Sequence, residues 1–148
     1  MAYQGTPGYS GVPAAAYTDW ITRVGAYLID VAPIIGGYIV AAILAVIVHS
    51  GGFAIFLYFL VAAGGLGWTV YNRWILGGQG QSLGKKTLKV RLVSEETGQP
   101  IGTLNAFVRD IAHIVDGIIC DIGYLFPLWD PKRQTLADKI MKTVVIPA

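Results

Sequence analysis

From Val24 to Val48 the chain is apolar at nearly every position, and Asp30 is the only charged side chain inside the run. At 1.5 Å per residue, 25 residues reach about 37 Å, enough to cross a bilayer with some tilt. Thr18 or Asp19 can cap this helix, and Trp20 suits its interfacial first turn, so a first span is predicted over about 22–48. Pro33, followed by Gly36 and Gly37, predicts a bend just beyond Asp30. A second run, from Phe53 to Trp74, has no charge before Arg73 and predicts a second span over about 53–75. The turn His49–Gly52 is so short that the two spans must form an antiparallel hairpin. Gly37, Ala41 and Ala45 on the first helix, and Ala63 and Gly67 on the second, are predicted to make the facing small-residue strips.

Beyond the hairpin the pattern changes. Residues 77–104 are polar and include Lys85, Lys86, Lys89 and Arg91. Within them Leu88 to Val93 alternates as a strand, Glu95 to Gly98 has turn chemistry, and Ile101 is predicted to begin a return strand. Lys142 to Pro147 is also strand-like, and its pairing with the loop strand would put the C-terminus on the loop's side. The third apolar segment, 105–129, is interrupted by Arg109, Asp110, His113, Asp116, Asp121 and Pro127. A single crossing would carry the basic residues that follow, Lys132, Arg133, Lys139 and Lys142, to the outside. A segment broken near Gly117 to Gly123, re-entrant or lying at the interface, keeps every basic stretch on the cytoplasmic side. The predicted fold is therefore an all-α membrane protein: a transmembrane helical hairpin, a third interrupted helical segment, and a small cytoplasmic β element. Residues 1–17 read as a flexible Pro-, Gly- and Tyr-containing tail, 18–148 as one membrane domain, and 130–148 as its cytoplasmic C-terminal segment.

Composition agrees with this reading. Of 148 residues 54% are hydrophobic and 14% charged, a membrane protein's balance. Little chain is left for a soluble catalytic domain, which ordinarily needs roughly 100 residues, so an enzyme is not expected. The net charge of +2 gives no case for nucleic acid. Cys120 is the sole cysteine, so no intrachain disulfide can form.

The chemistry worth following is charge inside apolar sequence. A carboxylate in hydrocarbon costs at least ~2.5 kcal/mol, so Asp30 needs a partner, a wet cavity or a task. Arg23 shares its helical face but lies two turns away, about 10 Å along the axis, too far for direct contact. Arg109, with His113 and Asp116 on its helical face, is the expected partner of Asp30, and Arg23 is expected to meet a C-terminal acid such as Asp138. Asp30, Arg109, His113 and Asp116 then form either a buried ion-pair lock, the favoured reading, or a proton or cation path. Lys85, Lys86, Lys89 and Arg91 could touch anionic lipid headgroups, or simply set orientation. The His, Cys and acidic residues lack zinc spacing, and the GQSLGKKT run departs from a phosphate loop at Gln79 and Lys86. Neither a metal nor a cofactor is expected.

Three stretches, TRVGAYLID, GQGQSLGKKTLKVRLV and DPKRQTLADKIMKTVVI, together resemble the RDD family of bacterial membrane proteins, named for an arginine and two aspartates. The resemblance covers about residues 18–146. It implies signature residues at Arg23 and Asp30, with the second aspartate at Asp138 before Asp130 or Asp116, and a Gly-Gln-x-x-Gly-Lys element at Gly80, Gln81, Gly84 and Lys85. The leader is similar to that of the proline-rich antigen type found in actinobacteria. Membership implies a multi-pass protein of the bacterial plasma membrane, in which the positive-inside rule puts the basic central loop, and the N-terminus with it, in the cytoplasm. It implies little about activity: transport is suggested for the family, and sodium/proton antiport is attributed to some members. Two classes are carried forward: an accessory or scaffold subunit working with membrane-protein partners or as a homo-oligomer, and an oligomeric ion or small-ligand transporter using Asp30.

Overall fold

Asp19 starts the first helix. Its extended backbone and its carboxylate, which accepts from Thr22 N, cap α1, Trp20–Val48. The computed structural model describes residues 16–148, and the predicted tail lies outside them except for its last two residues. α1 runs through Pro33 as one helix and ends at His49, whose left-handed backbone closes it. Ser50 then caps α2, Gly51–Thr69, which continues as a wider π-helical stretch, Val70–Leu76. Both helices are long and apolar enough to cross a membrane. α2 buries none of its residues, as expected of a helix that meets lipid on most sides.

The hairpin contact differs from the predicted one on the second helix. Gly37 of α1 faces Val61, where a Cβ would come within 3.2 Å, and Gly65 of α2 faces Ile34 at 3.4 Å. Ala41 is buried, and Tyr38 stacks on Tyr58 with ring centres 6.2 Å apart. Ala63 and Gly67 are exposed. Two residues on from Val61 and Gly65 is a rotation of about 200°, which carries them to the opposite side.

Beyond α2, Ser82 precedes a short helix, α3, Leu83–Thr87, and β1 follows at Val90–Ser94. β1 pairs antiparallel with the last strand, β2, Thr143–Pro147, in the register Val90↔Pro147 to Ser94↔Thr143. Alternation gives this ribbon two apolar faces. Val93, Val144 and Ile146 pack with Tyr17, while Val90, Leu92 and Val145 pack together with Ile101 against them. Tyr17, assigned to the tail by composition, is thus part of the core at 3% exposure. Ile101 joins this packing without forming a strand, because helix α4 begins at Thr103. The amide of Thr18 donates to Val145 O at 2.9 Å, so the entry of α1 and the C-terminal strand sit together.

α4, Thr103–Ile118, presents Leu104, Val108, Ile111, Val115 and Ile118 outward at alternating four- and three-residue spacing, and buries Ala106, Arg109 and Asp116 on the other side. Cys120 and Asp121 then take left-handed backbone conformations, which no helix of L-residues continues through. The break falls inside the predicted interval, and the chain turns by 106° into α5, Ile122–Leu125, and a 3-10 turn, Phe126–Leu128. The last helix, α6, Leu136–Met141, opens with a capping box in which Thr135 and Asp138 bond each other's backbone amides.

Candidate functional site

The polar interior lies where the α1/α2 hairpin meets the cap formed by α3, the β-ribbon, α4 and α6. Its centre is Asp138, fully buried. Helix α6 delivers this carboxylate in its first turn, already held by Thr135 N at 3.2 Å and by Thr143 Oγ1 at 3.0 Å. Two guanidiniums converge on it. Arg109 of α4 approaches Oδ1 through Nε at 2.8 Å and Nη2 at 2.7 Å, and Arg23 of α1 bonds Oδ2 while its Nη1 donates to Arg133 O at 2.6 Å. Burial alone would raise the carboxyl's pKa, but Arg109 and Arg23 override it and hold Asp138 well below the usual carboxylate range. One residue therefore ties α1, α4 and α6 together.

Asp30 is served differently. Its Oδ1 accepts from Asn72 Nδ2 at 2.8 Å and Gly84 N at 2.7 Å, and its Oδ2 from Ser82 Oγ at 2.6 Å. Asn72 comes from the π-helical stretch of α2, and its own carbonyl accepts from Leu83 N at 2.8 Å, fastening α3 beside α1. Gly84 has no alternative here: a Cβ would lie 1.9 Å from the carbonyl oxygen of Ala26. The Gly-Gln-x-x-Gly-Lys stretch thus wraps the Asp30 carboxylate with donors and presses on α1. Three neutral donors satisfy the charge without a cation in direct contact.

The expected Asp30–Arg109 pair is not formed. Arg109 lies on the face of α4 that meets α6, so Asp138 takes it, and the backbone and side chains of 72–84 reach Asp30 first. The expected contact of Arg23 with Asp138 is present. His113 and Asp116 form a pair of their own, Nδ1 to Oδ2 at 2.6 Å, and Ala137 N also reaches Asp116 at 3.4 Å. The four residues considered as one path are therefore spread over three hydrogen-bonded groups. The basic loop also divides: Lys86, Lys89 and Arg91 are exposed, whereas Lys85 turns inward beside Ser82, 3.3 Å from its Oγ. Burial, reinforced by Arg109, pulls the Lys85 ammonium down to about 8.

Around these groups is a half-open cavity of about 920 Å³, lined by Arg23, Asp30, Arg73, Lys85, Arg109 and His113 among others. Arg73 pairs with Asp110 at 2.8 Å and lies over the Tyr27 ring, and Trp74 Nε1 donates to the other oxygen of Asp110 at 3.0 Å. Ser82 and Asn72 were missed in the sequence because each is one ordinary polar residue. The only hint was that Ser82 stands inside the Gly-Gln-x-x-Gly-Lys stretch. Asp130 organises the adjoining loop, accepting from Lys132 N and Gln134 N at 3.0 Å each and pairing with Lys139.

Two apolar helices able to span a bilayer, with a charged lock joining the first of them to a polar cap, define a small helical membrane protein. The chain belongs to the RDD family, which it matches over residues 17–142. It is 41% identical to a proline-rich antigen homolog of Mycobacterium tuberculosis over 157 aligned residues, 92% of this chain and 65% of that protein. It is also 41% identical to the proline-rich antigen of Mycobacterium leprae, over 95% of this chain and 65% of the relative. The chain thus spans slightly less than two thirds of the length of either relative. No solved structure matches it.

Proposed function

We propose that this protein is a non-enzymatic accessory or scaffold subunit of the bacterial plasma membrane, working beside membrane-protein partners. The observation that carries this reading is the use made of the buried carboxylates. Asp138 is consumed by two arginines, and Asp30 by Ser82, Asn72 and Gly84, so each carboxylate fastens one part of the chain to another. Charges in such a lock define one docking geometry. The hairpin and the outward stripe of α4 meanwhile leave large apolar surface for lipid and for neighbouring helices. In this reading α4 lies along the interface, and the basic cap, with both ends of the described chain, faces the cytoplasm.

The alternative, an oligomeric ion or small-ligand transporter, draws on the cavity that reaches Asp30. Two spans fall short of the paired repeats that alternating access ordinarily uses, so the pathway would need several copies. Purification in mild detergent with identification of stoichiometric partners separates the two. A larger membrane complex is expected to co-purify. Cation-coupled proton flux in liposomes holding only this chain, lost in Asp30→Asn, would instead establish transport.

A further inference from the structure

The donors and acceptors around the cavity do not balance. Both oxygens of Asp30 are taken by Asn72, Gly84 and Ser82, both of Asp110 by Arg73 and Trp74, and both of Asp138 by its two arginines, Thr135 and Thr143. Asp121 also borders the cavity but is exposed. The cations are less fully used. Arg109 spends Nε and Nη2 on a single oxygen of Asp138, and the ammonium of Lys85, with three N–H groups, meets the Ser82 hydroxyl at 3.3 Å. Positively charged N–H groups therefore remain toward a space of about 920 Å³. An acceptor-rich anion is the ligand that completes them.

The surroundings select among anions. The cavity is bordered by Trp20 and Tyr27 of α1, Ile114 and Ile118 of α4, and Tyr124 of α5; of these Tyr27, Ile114, Ile118 and Tyr124 are exposed. Trp20 Nε1 donates to Tyr124 O at 2.9 Å and ties α1 to α5 along this border. The exposed stripe of α4 continues from Ile118 through Val115 and Ile111, an apolar track leading away from the cavity. From Trp20 to Asp30 the cavity follows α1 for ten residues, about 15 Å. A cationic interior with an apolar, aromatic border suits an amphiphile better than a free ion.

We infer that this cavity binds the phosphate headgroup of an anionic phospholipid, held by Lys85 and Arg109, with the acyl chains leaving past Ile114 and Ile118. This site is separate from the exposed Lys86, Lys89 and Arg91. Bound phosphate would also relieve the mutual repulsion of Lys85 and the neighbouring guanidiniums. The inference stands whether the protein serves as a scaffold or as a transporter.

The test is native mass spectrometry of the full chain released from nanodiscs made of equal amounts of phosphatidylglycerol and phosphatidylcholine. One phosphatidylglycerol should be retained per chain in preference to phosphatidylcholine. Occupancy should fall about fivefold or more in Lys85→Gln, recover in Lys85→Arg, and hold in the Lys86→Gln, Lys89→Gln double variant. Ile118→Asn, an exposed change that leaves the cations in place, should also weaken retention. Retention of both lipids in the proportion supplied, or equal loss in the double variant, would overturn the proposal. So would stabilisation of the detergent-solubilised protein by inorganic phosphate with no lipid retained, which would assign the site to a soluble anion.

Discussion

Asp138 decides more than any other side chain how this molecule closes. Its removal leaves two buried guanidiniums without their shared counterion, whereas removal of either arginine leaves the carboxylate one partner. Asp138→Ala is therefore expected to destabilise the detergent-solubilised protein by about 3–5 kcal/mol, and Arg109→Ala by less, as judged by thermal unfolding. A double-mutant cycle should show strong coupling of Arg109 to Asp138 and little to Asp30. The same carboxyl gives a pH dependence with a definite sign. Its folded pKa lies below the unfolded value near 3.9, so its contribution is complete above that pH and is lost as pH falls further. Acid titration of the melting temperature should be flatter in Asp138→Asn. Lys85 acts in the other direction. Its pKa is pulled from 10.5 to about 8, so the folded protein surrenders this proton first, and stability should rise between about pH 8 and 10.5. That rise should vanish in Lys85→Gln.

At the scale of elements, glycine and π-helical geometry bring the loop onto the first helix. α3 can approach α1 only because Gly84 has no side chain, with the Ala26 carbonyl 1.9 Å from where a Cβ would stand. Backbone cannot yield there as a flexible side chain would. Gly84→Ala should cost at least ~1–3 kcal/mol and loosen the donors around Asp30, measurable as faster amide exchange at Leu83 and Gly84. Much of the element layout was legible in sequence. Continuous apolar runs mark α1 and α2, alternation marks β1, strand-forming composition marks β2, and the clash of charges with a long apolar segment marks the break after α4. What was not legible depended on rotation and on long-range order. The strip on α2 was misplaced because small residues recur on two faces, and only the partner helix selects Val61 and Gly65 over Ala63 and Gly67. Arg109 was assigned to Asp30 by opposite charge, but the spacing within α4 says nothing of which element lies across from it. Asp30 went instead to neutral donors, which leave no charge pattern to find.

At the scale of the molecule, the short turn at His49–Ser50, the β1/β2 pairing and the bond from Thr18 to Val145 place the start of α1, the end of α2, the loop and the C-terminal strand at one end. Closure by Asp138 requires that α6 and the first turns of α1 stay together. A chain that crossed again through 105–129 would have to separate them. The direct measurement is labelling with a membrane-impermeant maleimide of a protein carrying Cys120→Ser and a single new cysteine in place of Ala148. Labelling is expected only in inside-out vesicles, with intact cells protected and a matching cysteine at Lys86 behaving identically. Labelling of the C-terminal cysteine in intact cells, while the position-86 cysteine stays protected, would contradict the one-sided cap and the charged lock that holds it.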